Sequence, residues 1–273
     1  AVLLAVFVFF PVVYAFIISF QRWSLLSQRR WIGLSNYTRV FQSEAFWTSL
    51  SNTVFYMLGI PIGLAIGLGL ALVMNSKIKG VSFYRAVYFA PGITSIVAVS
   101  AVFKYIYNPS YGLANRFLKA VGLSGIGWLS SPVWVKPAII LMSLWKGMGW
   151  TMIIYLAGLQ GIPRSYYEAA TIDGASKWGS FRHITWPLLG PTTFFLLIME
   201  TINTLKKFED VYVLTRGGPM DASKTLTLYI FEEAFELFHF GYASAVAFVL
   251  FLIVLIITLI QFKYFGTISD VGV

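Results

Sequence analysis

Long apolar stretches separated by short polar ones set the organisation of this chain. A helix crossing ~30 Å of hydrocarbon needs about 20 mostly apolar residues at a rise of ~1.5 Å each. Six stretches meet that length, near residues 1–20, 52–74, 86–107, 137–159, 187–208 and 243–265. The pattern predicts an all-α membrane protein with six transmembrane helices in one permeating domain over residues 1–273. Breaker residues lie between the stretches, at Asn108-Pro109, Ser131-Pro132, Gly217-Gly218-Pro219 and along the polar segment Gly161 to Trp186. An even number of spans places both ends on one side of the membrane. In the second stretch Gly59, Gly63, Gly67 and Ala71 recur every four residues, a smooth stripe suited to close helix packing.

The first apolar run has no basic n-region and no clear small-residue cleavage site, so it reads as a span and not as a signal peptide. It opens at Ala1 without a methionine, and an N-terminal tail is expected before it.

Composition agrees with the pattern. The chain is 58% hydrophobic and 11% charged, against about 25% charged in a soluble domain. Aromatic residues make up 18%, as expected where Trp and Tyr anchor both bilayer interfaces. The absence of cysteine excludes disulfides, thiolate metal sites and a cysteine nucleophile. His183 and His239 are too few and too far apart for a histidine-rich metal site, and no catalytic residue or metal ligand is assigned. A formal charge of +9 could suggest nucleic acid, but the basic residues are scattered among hydrophobic spans and read as loop and interface charges.

Orientation does not follow from charge. With the N-terminus inside, the inner loops and tail hold Lys77, Lys79, Arg85, Arg164, Lys177, Arg182 and Lys263. The outer loops hold more, including Arg22, Arg29, Arg30, Lys206 and Lys207, against the usual inside bias.

The segment between the fourth and fifth spans, residues 161–186, carries the most information. It reads Glu168-Ala169-Ala170-Thr171-Ile172-Asp173-Gly174-Ala175 and continues to Ile184-Thr185-Trp186-Pro187. Ser165 and Glu168 have the spacing of a capping box, which predicts a short helix from about Tyr166. Gly174 can take the left-handed conformation that ends it, Ser176 can cap a second short helix, and Pro187 can open the fifth span. The product is a helical hairpin with small residues at its bend, which another protein's backbone could approach closely. An ordinary amphipathic connection fits the same residues.

The spacing E-A-A, three residues, G, nine residues, I-x-x-P resembles the EAA loop of permease subunits of binding-protein-dependent ABC importers. Glu168, Ala169, Ala170, Gly174, Ile184 and Pro187 fall in register, and Trp186 stands where Leu is usual. Further segments resemble the maltose-type sugar permeases over nearly the whole chain. They are Gly33 to Tyr37, Asn52-Thr53, Asn108-Pro109 with Gly112 and Asn115, Ala157 to Gln160 with Ile162-Pro163, Leu214 to Pro219, and Gly241 to Ala245.

The resemblance implies a multi-pass permease of the bacterial cytoplasmic (inner) membrane with its EAA loop in the cytoplasm. It implies that Glu168, Ala169, Ala170, Asp173, Gly174 and Ala175 couple to an ATPase by a helix-in-groove contact. No G-x-x-x-x-G-K-[ST] phosphate loop occurs, so this chain holds no nucleotide cofactor of its own. ATP with Mg would be bound by two partner ATPase subunits, which makes this chain a transporter subunit and not an enzyme. The other implied partners are a second homologous permease, an extracytoplasmic solute-binding protein, a sugar or oligosaccharide, and membrane lipid, with no nucleic acid.

Charged residues inside spans are costly and usually face water or protein. Lys146 and Glu200 fall inside the fourth and fifth spans at similar depth, and Glu200, Asn203, Thr204 and Lys207 form one polar stripe. Lys146, Glu200, Asn203, Trp145 and Trp150 are therefore candidates for a translocation path, Tyr105 and Tyr155 for further sugar stacking. A structural Lys146–Glu200 pair and interface or packing aromatics are the alternatives. Glu232, Glu233 and Glu236, in the loop before the last span, are candidates for docking the binding protein or for a solvated loop.

One other cargo and three other classes come into question. An anionic solute such as a sugar acid or glycerol phosphate fits the same scaffold. A secondary transporter would need coupling-ion carboxylates or inverted repeats, a channel a filter motif, and a membrane enzyme a converging acid, base or metal set; none stands out.

Overall fold

The computed structural model describes residues 2–24, 27–76 and 79–265. Of the positions named above, Ala1 and Lys77 lie outside the described residues. Among the described residues three helices are long and apolar enough to cross a bilayer, Glu44–Met74, Val135–Gly161 and Phe240–Tyr264. Two more spans result if each bent pair is one span, Val81–Ile93 with Ile96–Ile106 at 96° and Lys177–Leu188 with Gly190–Leu205 at 60°. The first apolar stretch forms the shorter helix Ala5–Ser19.

Prolines account for much of the departure from straight spans. The third expected span carries Pro91 inside its first helix and breaks after Ile93, where Thr94 turns extended at ψ 141°. The fifth does not open at Pro187. That proline lies within Lys177–Leu188, and the chain bends before Gly190-Pro191 begins the membrane helix. Wide turns precede two prolines in the same way: Phe10 N–H reaches the Ala5 carbonyl just before Pro11, and Trp186 N–H reaches the Phe181 carbonyl just before Pro187. A proline ring presses on the carbonyl four residues back, and a turn with one extra residue relieves that contact.

The fold is not entirely helical. Gln21–Ser24 and Ser27–Trp31 form an antiparallel hairpin in which Gln21 faces Trp31 and Arg22 faces Arg30. The expectation of helix alone missed it, because this segment is short and polar and has no glycine at its turn.

The expected single domain packs as two compact units. One comprises the described residues of Ala1–Tyr56, Lys104–Ala138 and Thr204–Ile257, and the other those of Met57–Phe103, Ile139–Asn203 and Thr258–Val273. The first is centred on Val40, Phe46, Leu226, Tyr242 and Val246. The second is centred on Leu68, Met152, Tyr155, Leu189 and Leu196. In the second, the glycine stripe packs on the Val135–Gly161 helix: a Cβ at Gly63 would lie 3.2 Å from the Leu144 side chain, and one at Gly67 only 2.4 Å from Thr151 Cγ2.

Candidate functional site

The segment between Gly161 and Trp186 folds as two short helices around a glycine bend. The first helix runs Arg164–Ile172 from Pro163, with no side-chain cap. The Ser165–Glu168 capping box is not formed, since Pro163, with φ already near −59°, starts the helix before Ser165 can act as its cap. The helix ends in a Schellman motif. Gly174 takes φ +75°, its N–H donates to the Thr171 carbonyl at 3.1 Å, and Ala175 N–H donates to the Ala170 carbonyl at 2.8 Å. Ser176 caps the second helix, its Oγ accepting from Gly179 N–H at 3.1 Å. Tyr167 and Thr185 share a hydroxyl contact of 2.9 Å that ties the two arms together.

The bend is open. Glu168, Ala169, Asp173, Gly174 and Ala175 are exposed and Ala170 is half-buried. Two large apolar side chains flank them in solvent, Ile172 at 87% and Trp178 at 68% exposure. A Cβ built at Gly174 would meet nothing within 4 Å.

Lys146 lies in the same unit, against the break of the third span. Its ammonium donates to the carbonyls of Thr94 at 3.0 Å, Gly92 at 3.1 Å and Pro91 at 3.5 Å. The carbonyls at a helix C-terminus have no partner within the helix, and a cation there also meets the negative end of the helix dipole. The Pro91-Gly92 pair was a readable signal for this break. Nearby, Gly149 lets the two helices touch: a Cβ there would lie 2.1 Å from the Tyr88 carbonyl oxygen.

The remaining path candidates are spread over this unit, except Tyr105, which belongs to the other. Trp145 is 41% exposed and in ring contact with Phe103 at 5.4 Å, and Trp150 is 49% exposed. Glu200 is half-buried and Asn203 exposed on the Gly190–Leu205 helix. Tyr155 is 1% exposed, in the core, and so is closed to a ligand.

In the other unit, segments that looked independent in sequence meet. Asn52 Nδ2 donates to the carbonyls of Asp221 and Lys224, at 2.8 and 3.1 Å, and its Oδ1 accepts from Lys136 at 2.8 Å. Thr53 Oγ1 accepts the Leu226 N–H, and Tyr56 OH donates to the Ser223 carbonyl. The Asn52-Thr53 pair thus holds the loop that follows Gly217-Gly218-Pro219. Asn36 Nδ2 donates to the Ser19 and Gln21 carbonyls, while Gly241 packs so closely that a Cβ would fall 2.0 Å from the Gln21 oxygen. Asn115 binds both backbone groups of Ile126 and accepts from Trp128 Nε1.

Of the loop glutamates, Glu232 pairs with Lys224 at 2.8 Å and Glu233 with His239 at 2.9 Å, while Glu236 is exposed. Among the described residues no cluster of three or more His, Asp or Glu could hold a metal ion.

The family described as binding-protein-dependent transport system inner membrane component matches residues 2–264. The chain belongs to this family of permeases. It is 38% identical to the lactose transport system permease protein of Rhizobium radiobacter over 95% of this chain and 89% of that one. It is 36% identical to the trehalose/maltose transport system permease protein of Thermococcus litoralis over 94% and 88%. Among solved structures, a subunit of a bacterial ABC transporter involved in the import of the acidic polysaccharide alginate superposes with a TM-score of 0.86 at 25% identity, covering 100% of this permease and 93% of that chain. That alginate transporter has also been solved in complex with a periplasmic protein bound to an alginate pentasaccharide. The relatives are permease subunits of ABC transporters, and the apolar helices fit a multi-pass membrane protein.

Proposed function

We propose that this permease is one transmembrane half of an ATP-driven importer that moves a sugar or oligosaccharide from an extracytoplasmic binding protein into the cytoplasm. The observation that carries the reading is the exposed bend at Gly174, with Ile172 and Trp178 in solvent beside it. An apolar, glycine-turned hairpin at the end of a membrane helix is a surface built for a partner. Glu168, Ala169, Ala170, Asp173, Gly174 and Ala175 would enter a groove on an ATPase subunit that binds ATP with Mg. ATP-driven closure of two such subunits would shift this permease and a second homologous one between inward-facing and outward-facing states. Cargo would pass when the binding protein docks outside, in the bacterial cytoplasmic membrane.

Within the span region, Glu200, Asn203, Trp145 and Trp150 are our candidates for the path. Lys146 serves it indirectly, as the residue that holds the broken third span in place. An acidic saccharide is the second reading of the cargo, favoured by the solved alginate importer.

The deciding experiment is Gly174→Asp in the reconstituted complex. Because the site is open in this chain, the substitution leaves insertion intact apart from backbone strain of roughly 1–2 kcal/mol. Sugar-loaded binding protein should then stimulate ATP hydrolysis without transport, or fail to stimulate it. Wild-type transport by this variant would sink the assignment.

A further inference from the structure

Gln21 to Trp31 contains three arginines, two tryptophans and no acidic residue. These arginines contribute to the excess of basic residues on the side where a membrane protein normally carries fewer. The structure gives them a common setting. Arg22 and Arg30 are directly opposed on the two strands of the hairpin. Side chains opposed in this way share one face with Cβ atoms about 4.5–5.5 Å apart, and like charges there repel. On the other face, the Arg29 guanidinium lies 3.7 Å over the Trp23 ring and donates to Tyr14 OH at 3.1 Å. Arg22, Arg29 and Arg30 are all exposed. Among the described residues, none of the three is within ion-pair distance of a carboxylate.

The hairpin's position says what can supply the missing anion. It follows directly on the Ala5–Ser19 helix, whose side chains are mostly apolar and exposed, with Phe7 at 72%, Phe9 at 63% and Phe10 at 64%. In a membrane the part of that surface left free by the second permease faces acyl chains, so the strands emerge at headgroup level. Trp31, 62% exposed, is the type of residue that occupies this level. The presentation is also fixed. Ile32 N–H donates to the Phe20 carbonyl at 2.9 Å, Phe20 stacks on Trp31 at 5.6 Å between centroids, and Asn36 holds the Gln21 carbonyl at 2.9 Å.

We propose that this hairpin is a binding site for the phosphate of an anionic phospholipid. Arg22 and Arg30 approach one phosphate from opposite strands, on the face away from Trp31. Guanidinium groups suit this role because their planar donors match phosphate oxygens two at a time. A bound anion also turns the repulsion between the opposed arginines into shared attraction. The proposal rests on the permease reading only in placing the Ala5–Ser19 helix in a bilayer.

The test uses the assembled transporter in nanodiscs of phosphatidylcholine alone or with added phosphatidylglycerol. Thermal stability and the number of phosphatidylglycerol molecules retained in native mass spectrometry are the readouts. For the wild type, phosphatidylglycerol should raise Tm by several degrees and remain bound. Arg30→Gln should behave in two opposite ways. In pure phosphatidylcholine it should be at least as stable as the wild type, since a like-charge contact is gone, and it should lose most of the gain from phosphatidylglycerol and retain several-fold less lipid. Arg116→Gln, a change on the separate Leu113–Ala120 helix, should keep both. An unchanged gain in Arg30→Gln would overturn the proposal. So would an equal gain from inorganic phosphate in phosphatidylcholine discs, or a loss of binding-protein docking by Arg30→Gln in discs without anionic lipid, which would assign the arginines to a free anion or a protein partner. Transport by the wild type, measured alongside, separates this failure from failure of the importer reading.

Discussion

Lys146 Nζ donates to the backbone carbonyl of Thr94 across 3.0 Å, from one membrane helix to the gap in another. Together with the Gly92 contact this satisfies the exposed end of the Val81–Ile93 helix. In hydrocarbon no water can take over that work. Lys146→Met should therefore destabilise the permease by about 1–3 kcal/mol, the cost of unsatisfied carbonyls. Lys146→Arg should recover part of this, and a thermal-shift assay on the purified complex would read both. Glu200→Gln alone then addresses the path: loss of flux in an assembled, ATP-binding complex supports it, and full transport rejects it.

The glycine stripe yields a paired prediction from two positions in one helix. A Cβ at Gly67 would sit 2.4 Å from Thr151 Cγ2 and 3.2 Å from Thr151 backbone, whereas one at Gly69 would meet nothing within 4 Å. Gly67→Ala should cost about 1–3 kcal/mol through overpacking. Gly69→Ala should be neutral or gain up to ~1 kcal/mol from helix propensity. Equal effects of the two on the melting temperature would mean that the stripe is not a packing surface.

How much of this was legible depends on how local each signal is. The Gly174 bend and the Ser176 cap could be read because each involves residues a few positions apart. The capping box at Ser165 failed because Pro163, also local, competed for the same helix start. The helix break after Ile93 had its signal in Pro91-Gly92, but the apolar run hid it. The hairpin at Gln21 to Trp31 had no turn residue to announce it. Asn52 and the loop at Asp221 to Lys224 are brought together only by the fold. No pattern of hydrophobic period could pair them, although Asn52-Thr53 and the segment Leu214 to Pro219 just before the loop both stood out as resemblances to sugar permeases.

Asn52 is the centre of that contact, buried at 3% exposure and bonded through both ends of its amide. Asn52→Ala should cost about 1–3 kcal/mol, because two part-buried carbonyls and the Lys136 ammonium lose a partner. Hydrogen exchange should speed up first at Ser223 to Leu226, the residues it helps to hold. Unchanged protection there would show that Thr53 and Tyr56 suffice.

Lys224 gives a pH-dependent prediction. Burial alone would lower its pKa, but hydrogen bonds and charges from Asp221 and Glu232, both at 2.8 Å, outweigh this and raise it. A lysine with a raised folded pKa lends stability that is complete below its unfolded value, about 10.4, and is lost as pH climbs through the folded value. Lys224→Met should therefore melt lower than the wild type at pH 8, by the equivalent of roughly 1 kcal/mol. The gap should narrow only in strongly alkaline buffer. A gap that shrinks between pH 6 and 8 would point to another group.

The loop glutamates separate docking from folding. Glu232 and Glu233 are already committed to Lys224 and His239, so reversing either charge disturbs the permease itself. Glu232→Lys would place a second cation beside Lys224, and lower stability is expected whether or not a partner docks there. Glu236 is exposed. It is the clean probe. Glu236→Lys should leave the melting temperature unchanged while slowing association with the binding protein a few-fold at low salt, because exposed charges act mainly on encounter rate. Raising the salt to ~0.5 M should erase the difference, since screening then acts within a few ångströms. Surface plasmon resonance with the reconstituted complex at two salt concentrations measures this directly. Equal association rates for Glu236→Lys and the wild type at low salt would remove this face of the loop from the docking surface and leave Glu236 as a solvated charge.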